Sequence, residues 1–216
     1  MMSLLSLELR QNLRQTGEWL QLLGFLLLSL FLLSWFLPVD VLAAHGIAFI
    51  YVIAILASLL SMDRLFTSDW EDGSLDLMLL DERGFACRIA IRVFAFWLAL
   101  AGSLAIALAP ALMVMQQPLS WFWPLLGVMG LAALAIVFWG ALLSSLTLGL
   151  KGAHYLLFIL LLPLLLPILI FSLGILEALG QGLPVTGPLL LTAAFCLASV
   201  TLSPFLTAGV LRFTLQ

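Results

Sequence analysis

Six long apolar stretches, near residues 19–37, 44–62, 93–115, 121–148, 155–176 and 189–210, fix what this chain can fold into. Each is long enough to cross a hydrocarbon core as a helix, which takes about 20 apolar residues. Of the 216 residues 64% are hydrophobic and only 9% charged, too few polar residues to cover a water-facing globule of this size. Lipid is therefore the solvent, and in lipid the backbone must satisfy its own hydrogen bonds, which long apolar runs do as helices. The sequence predicts an all-α membrane protein with six transmembrane helices in a single domain over residues 1–216.

The charges give that path a direction. Arg10 and Arg14 precede the first stretch; Arg64, Arg83, Arg88 and Arg92 fall between the second and third; Lys151 falls between the fourth and fifth; Arg212 follows the sixth. On a six-helix path all eight lie on one side, whereas the opposite connections carry only Asp40 and Glu177. Short loops rich in Lys and Arg remain cytoplasmic, so both termini are expected inside. The first apolar run is longer than a signal-peptide core and Glu8 interrupts the basic region, which argues against a cleavable signal. Cys87, in the inner connection, and Cys196, within the sixth span, are expected to stay reduced and unpaired. No basic stripe points to nucleic acid.

Two segments outside the spans carry their own pattern. In residues 1–17, Met2, Leu5, Leu9 and Leu13 recur on one helical face, interrupted in register by Leu4 and Leu7, with Glu8, Arg10, Gln11, Asn12, Arg14 and Gln15 elsewhere. This reads as an amphipathic helix lying in the membrane interface. Trp19, Trp35, Trp121 and Trp123 sit at span ends, where amphipathic rings prefer to be. Residues 63–92 hold seven of the eleven acidic residues and four of the eight basic ones. Asp72-Gly73-Ser74 reads as a turn, with Ser74 able to cap a helix start. Leu75, Leu77, Met78, Leu79 and Leu80 then form an apolar run too short to span. Two readings stand: a coupling helix that docks a partner through Glu71, Asp72, Gly73, Ser74, Leu75, Asp76, Met78 and Leu79, or a solvated connection with ordinary charge pairing.

The spans show packing signals and little chemistry. Ala95, Ala99, Ser103, Ala107 and Ala111 recur every four residues, and Ser199, Ser203 and Thr207 form a similar row; small residues at that spacing let helix backbones approach. Pro163, Pro167 and Pro204 interrupt the fifth and sixth spans, with Thr201 and Ser203 placed to serve the carbonyl freed at Pro204. No charge lies mid-span, which argues against a carboxylate-relay carrier and an intramembrane hydrolase. The chain has two histidines, His45 and His154, on opposite faces, so they cannot share a metal; no metal site and no catalytic residue is assigned. Gly149-Leu150-Lys151-Gly152 lacks the spacing and hydroxyl of a phosphate-binding loop, so ATP hydrolysis would need another chain.

The order of several short motifs narrows the class. Leu7-Glu8-Leu9-Arg10 opens the chain; Ser58-Leu59-Leu60-Ser61 leads into Asp63-Arg64-Leu65-Phe66 and Glu71-Asp72-Gly73-Ser74-Leu75. Leu161-Leu162-Pro163-Leu164-Leu165-Leu166-Pro167 fills the fifth span, Pro184-Val185 follows, and Thr201-Leu202-Ser203-Pro204-Phe205 precedes Arg212 and Gln216. Over nearly its full length the chain resembles the CcmB family of cytochrome c maturation permeases, with an ABC-2-like architecture. The resemblance implies a multi-pass protein of the bacterial inner membrane. It also implies an ATPase partner of the CcmA type, membrane partners of the CcmC and CcmD types and, indirectly, the haem chaperone CcmE. ATP would act through the partner, with haem as a substrate of the complex and no cofactor resident in this chain. Trp121-Phe122-Trp123-Pro124 is similar to the tryptophan-rich haem motif of the partner family but lacks its aspartate, and an interfacial aromatic belt accounts for it more simply. His45, Trp121 and Trp123 are the candidate haem contacts. A nucleotide-independent scaffold or channel is the alternative function.

Overall fold

The computed structural model describes residues 16–62, 65, 66, 70, 73, 85–148 and 153–214. Among these there is no strand. Six helices follow one another: α1 (Thr16–Phe36), α2 (Val39–Leu59), α3 (Phe85–Val114), α4 (Phe122–Thr147, preceded by a 3-10 turn, Leu119–Trp121), α5 (Ala153–Gly180) and α6 (Thr186–Thr214). The five from α2 to α6 are long and apolar enough to cross a membrane; α1 contributes a shorter apolar helix, Leu20–Phe36. The expected interfacial helix over residues 1–17 lies almost wholly outside the described residues.

Local chemistry sets the helix boundaries. Pro38 disfavours helical backbone at Leu37, so α1 stops at Phe36 and α2 starts at once, its first bond running from the Leu42 N–H to the Pro38 carbonyl. At the end of α3, Gln116 takes a left-handed φ of 55°; its N–H reaches the Met113 carbonyl and that of Gln117 reaches the Leu112 carbonyl. This is a Schellman ending. α5 ends the same way at Gly182, φ 66°, with Leu183 N–H on the Ala178 carbonyl. The third span was expected to begin near residue 93, with Arg88, Arg92 and Cys87 in the connection. The helix instead begins at Phe85 and carries all three. Phe85, Ile89 and Val93 form a buried stripe that extends it, while Arg88 and Cys87 face outward.

α4 is the most enclosed helix, touching α3, α5, α6 and α2. The small-residue row of α3 is buried throughout, from Ala95 to Ala111. So are Ser199, Ser203 and Thr207 on α6. Polar side chains tie these helices to the carbonyls of α4: Trp97 Nε1 donates to Gly130 (2.9 Å), Cys196 Sγ to Leu131 (3.1 Å), and Ser203 Oγ to Phe138. The expected service at Pro204 is therefore corrected. Proline frees the carbonyl four residues back, at Val200; Ser203 turns to α4, and Thr201 bonds to Leu197 (2.8 Å) and Ala198 (3.2 Å). A hydroxyl beside an apolar helix binds whichever carbonyl lies nearest, and close packing brings Phe138 within reach. Pro110, Pro163, Pro167 and Pro204 all lie within unbroken helices.

Candidate functional site

The bundle has two chemically different ends. At one, Arg88 and Arg92 ride the first turns of α3 and Arg212 the last turn of α6, with the Arg212 guanidinium 5.7 Å from the centre of the Phe85 ring. The chain leaving α2 is pulled into this end: Met62, Leu65 and Phe66 are fully buried, and Arg92 donates to the Leu65 carbonyl (3.4 Å). Met62 packs on α4 where Gly140 has no side chain; a Cβ there would sit 2.8 Å from Met62 Sδ and 3.1 Å from its Cγ. Beyond this anchor, Gly73 lies in a turn with φ 69°, its N–H on the Trp70 carbonyl (3.3 Å). The other docking candidates, Glu71, Asp72, Ser74, Leu75, Asp76, Met78 and Leu79, lie outside the described residues, as do Lys151 and the His154 side chain.

The opposite end holds an open cleft of about 690 Å³ between α2, α5 and the link joining α3 to α4. Its apolar walls come from Ala43, Ile47, Ala48, Leu173 and Leu176, and its polar groups from His45, Gln117, Glu177 and Gln181, with Trp121 on one side. The Schellman ending of α3 sends Gln117 back across the bundle, where Nε2 donates to the Leu42 carbonyl (2.7 Å) and to that of Met115 (3.3 Å). Gly46 makes this approach feasible, since a Cβ would lie 2.6 Å from Gln117 Nε2. Gly180 lies beside the Trp121 ring, where a Cβ would meet it at 3.7 Å, an ordinary packing distance. One helical turn apart at the end of α5, Gln181 Nε2 donates to Glu177 Oε1 (3.2 Å).

Of the three candidate haem contacts, the fold brings His45 and Trp121 to this cleft. Trp123 stays out of it: it is 75% exposed and stands perpendicular to the Phe122 ring, 5.2 Å between centroids. His45 sits inside α2 rather than at its start, because the helix begins at Val39. Gln117, Gln181 and the role of Glu177 were missed. The signals were present in the sequence: a Gln-Gln pair ending an apolar run, and one of only two carboxylates on that side. Among the described residues no group of three His, Cys, Asp or Glu side chains could hold a metal ion.

Comparison with known proteins bears out the resemblance read from the sequence. The profile of a family described as "CcmB protein" matches residues 1–214. Curated relatives named "Heme exporter protein B" align along most of the chain. That of Haemophilus influenzae is 36% identical over 214 residues, covering 97% of this chain and 96% of the relative. That of Rhodobacter capsulatus is 32% identical over 220 residues, covering the whole of both. That of Pseudomonas aeruginosa is 36% identical over 168 residues, covering 76% of this chain and 74% of the relative.

Proposed function

This chain belongs to the CcmB family, and on that premise we propose that it is the membrane subunit of a haem exporter serving cytochrome c maturation. The family match along the whole chain carries the reading. The chain acts as a transporter subunit in the bacterial inner membrane, with six spans and both termini in the cytoplasm. Energy comes from ATP hydrolysed by a CcmA-like partner that docks on the connection between α2 and α3. CcmC-like and CcmD-like subunits complete the complex, and ATP hydrolysis drives haem export or release of the loaded chaperone. The concentration of charge in residues 63–92 supports docking there, because a motor needs a water-exposed, mixed-charge surface to grip. Expressed in a bacterium deleted for its own family member, the chain should restore covalent haem in c-type cytochromes, read by haem staining of gels. Normal chain levels without restored cytochromes would reject the reading. Restoration in the absence of any ATPase partner would favour the nucleotide-independent scaffold or channel.

Orientation has its own test. Cys87 is exposed on the first turn of α3, whereas Cys196 is buried, so a thiol reagent reports on Cys87 alone. The one-sided basic residues predict that an impermeant maleimide labels Cys87 only after the cytoplasmic face is opened. Labelling in cells with only the outer envelope permeabilised would invert the topology.

Haem is a substrate of the complex in this reading, with no haem resident in the chain. His45 is an exposed imidazole and the one histidine lining the cleft, which makes it a weak iron site. His45→Ala and His154→Ala, each alone, should keep most cytochrome c assembly, measured against chain abundance. Loss of assembly in His45→Ala at normal abundance would establish a ligand role at the cleft.

A further inference from the structure

We propose that the cleft between α2 and α5 is a binding site for the primary-ammonium headgroup of a phospholipid, phosphatidylethanolamine being the probe. The argument starts from its hydrogen-bonding capacity. Gln117 spends its amide N–H groups on the Leu42 and Met115 carbonyls, which leaves its Oε1 as the group available to a ligand. Gln181 spends an N–H on Glu177, whose carboxylate keeps further acceptor positions. The cleft thus offers mainly acceptors, and a full negative charge at Glu177. No Lys or Arg is among its lining residues, and the described arginines are at the far end of the bundle. A ligand rich in N–H donors and positively charged meets these groups. An anion does not, which disfavours the two carboxylates of a porphyrin.

An ammonium supplies three donors and one charge. The Glu177 carboxylate and Gln117 Oε1 accept from it, and the half-buried Trp121, a span-end aromatic, lines the same cleft. His45 is the one imidazole in the cleft and can donate to the phosphate that follows the amine. Ala43, Ile47, Ala48, Leu173 and Leu176 form the apolar remainder, suited to the glycerol backbone and the first methylenes of an acyl chain. The cleft is open and at the ends of two membrane-length helices, the level at which lipid headgroups lie in the proposed topology.

The test is native mass spectrometry of the full chain released from detergent after incubation with equal amounts of phosphatidylethanolamine, phosphatidylglycerol and phosphatidylcholine. One phosphatidylethanolamine should be retained in roughly tenfold preference to phosphatidylglycerol. Phosphatidylcholine, which keeps the charge but has no N–H, should be held several-fold less well. Glu177→Gln should abolish the preference. Asp40→Asn, which removes the other carboxylate of that face from outside the cleft, should leave it intact, and unchanged thermal unfolding of both variants confirms their fold. Equal retention of the three lipids, or equal loss in both variants, overturns the proposal. Retention of soluble phosphoethanolamine as tight as that of phosphatidylethanolamine would assign the cleft to a free amine and overturn the lipid assignment. Displacement by haemin, lost in His45→Ala, would make it a porphyrin site and overturn it as well.

Discussion

Replacing Leu75 by Asp, or Glu71 and Asp72 together by Lys, should stop cytochrome c maturation while leaving the chain in the membrane. These residues lie between α2 and α3, outside every span, so insertion has no reason to fail. In the proposed complex Leu75, Met78 and Leu79 enter a groove of the ATPase subunit, and Glu71, Asp72 and Asp76 orient the approach. A buried apolar anchor at an interface is worth about 2 kcal/mol or more, so its conversion to a carboxylate should weaken ATPase binding roughly thirtyfold or further. Charge reversal opposes the positive end of the expected helix start as well as the partner's complementary surface. The measurement is the ratio of ATPase to permease purified from detergent extracts, beside haem-stained cytochromes from the same cells. If the variants keep the wild-type ratio and mature cytochromes normally, the motor grips another surface.

The second large effect concerns the anchor of that connection. Gly140→Val should destabilise the bundle by about 1–3 kcal/mol, the usual cost of overpacking a filled interior. The added carbons would land on Met62, whose Sδ and Cγ already occupy the space. Met62→Ala alone should also destabilise, by about 2–5 kcal/mol, because it empties a fully buried site. Combined, each change relieves the other: valine fills part of the space that methionine leaves. The double variant should thus be more stable than the sum of the single effects by about 1 kcal/mol or more. Thermal unfolding in detergent would measure this, scored by the fraction of monodisperse protein. Strict additivity would mean that Met62 and Gly140 do not share this contact.

These two predictions rest on differently legible parts of the chain. α2 to α6 were readable from apolar length alone, because a continuous apolar run of about 20 residues satisfies its backbone in lipid as a helix. The start of α3 was not. Arg88 and Arg92 were taken as loop, yet they fall beside the buried stripe of Phe85, Ile89 and Val93, and the stripe decides where the helix begins. The packing role of Ala95 to Ala111 was legible because four-residue spacing maps directly onto one helical face. The cleft was legible only in pieces. His45, Gln117, Trp121 and Glu177 come from three parts of the chain, and each alone reads as a span-end residue. What joins them is backbone geometry: the left-handed Gln116 and the missing side chain of Gly46, neither of which any pattern of apolar residues encodes. The Gly140 seat for Met62 was hidden for the same reason, since a glycine in an apolar run does not announce its neighbour.

The junction between α1 and α2 bears on how the protein is made. Only Leu37 and Pro38 separate the two helices, each 21 residues long. Two helices so closely joined would enter a bilayer together as a hairpin, with Asp40, in the first turn of α2, beside its tip. Leu22, Leu26 and Leu30, buried one turn apart on α1, are covered in the folded bundle, where α1 packs on α2 and α3. Lengthening the Leu37-Pro38 link would loosen this coupling and leave each helix free to enter a bilayer by itself.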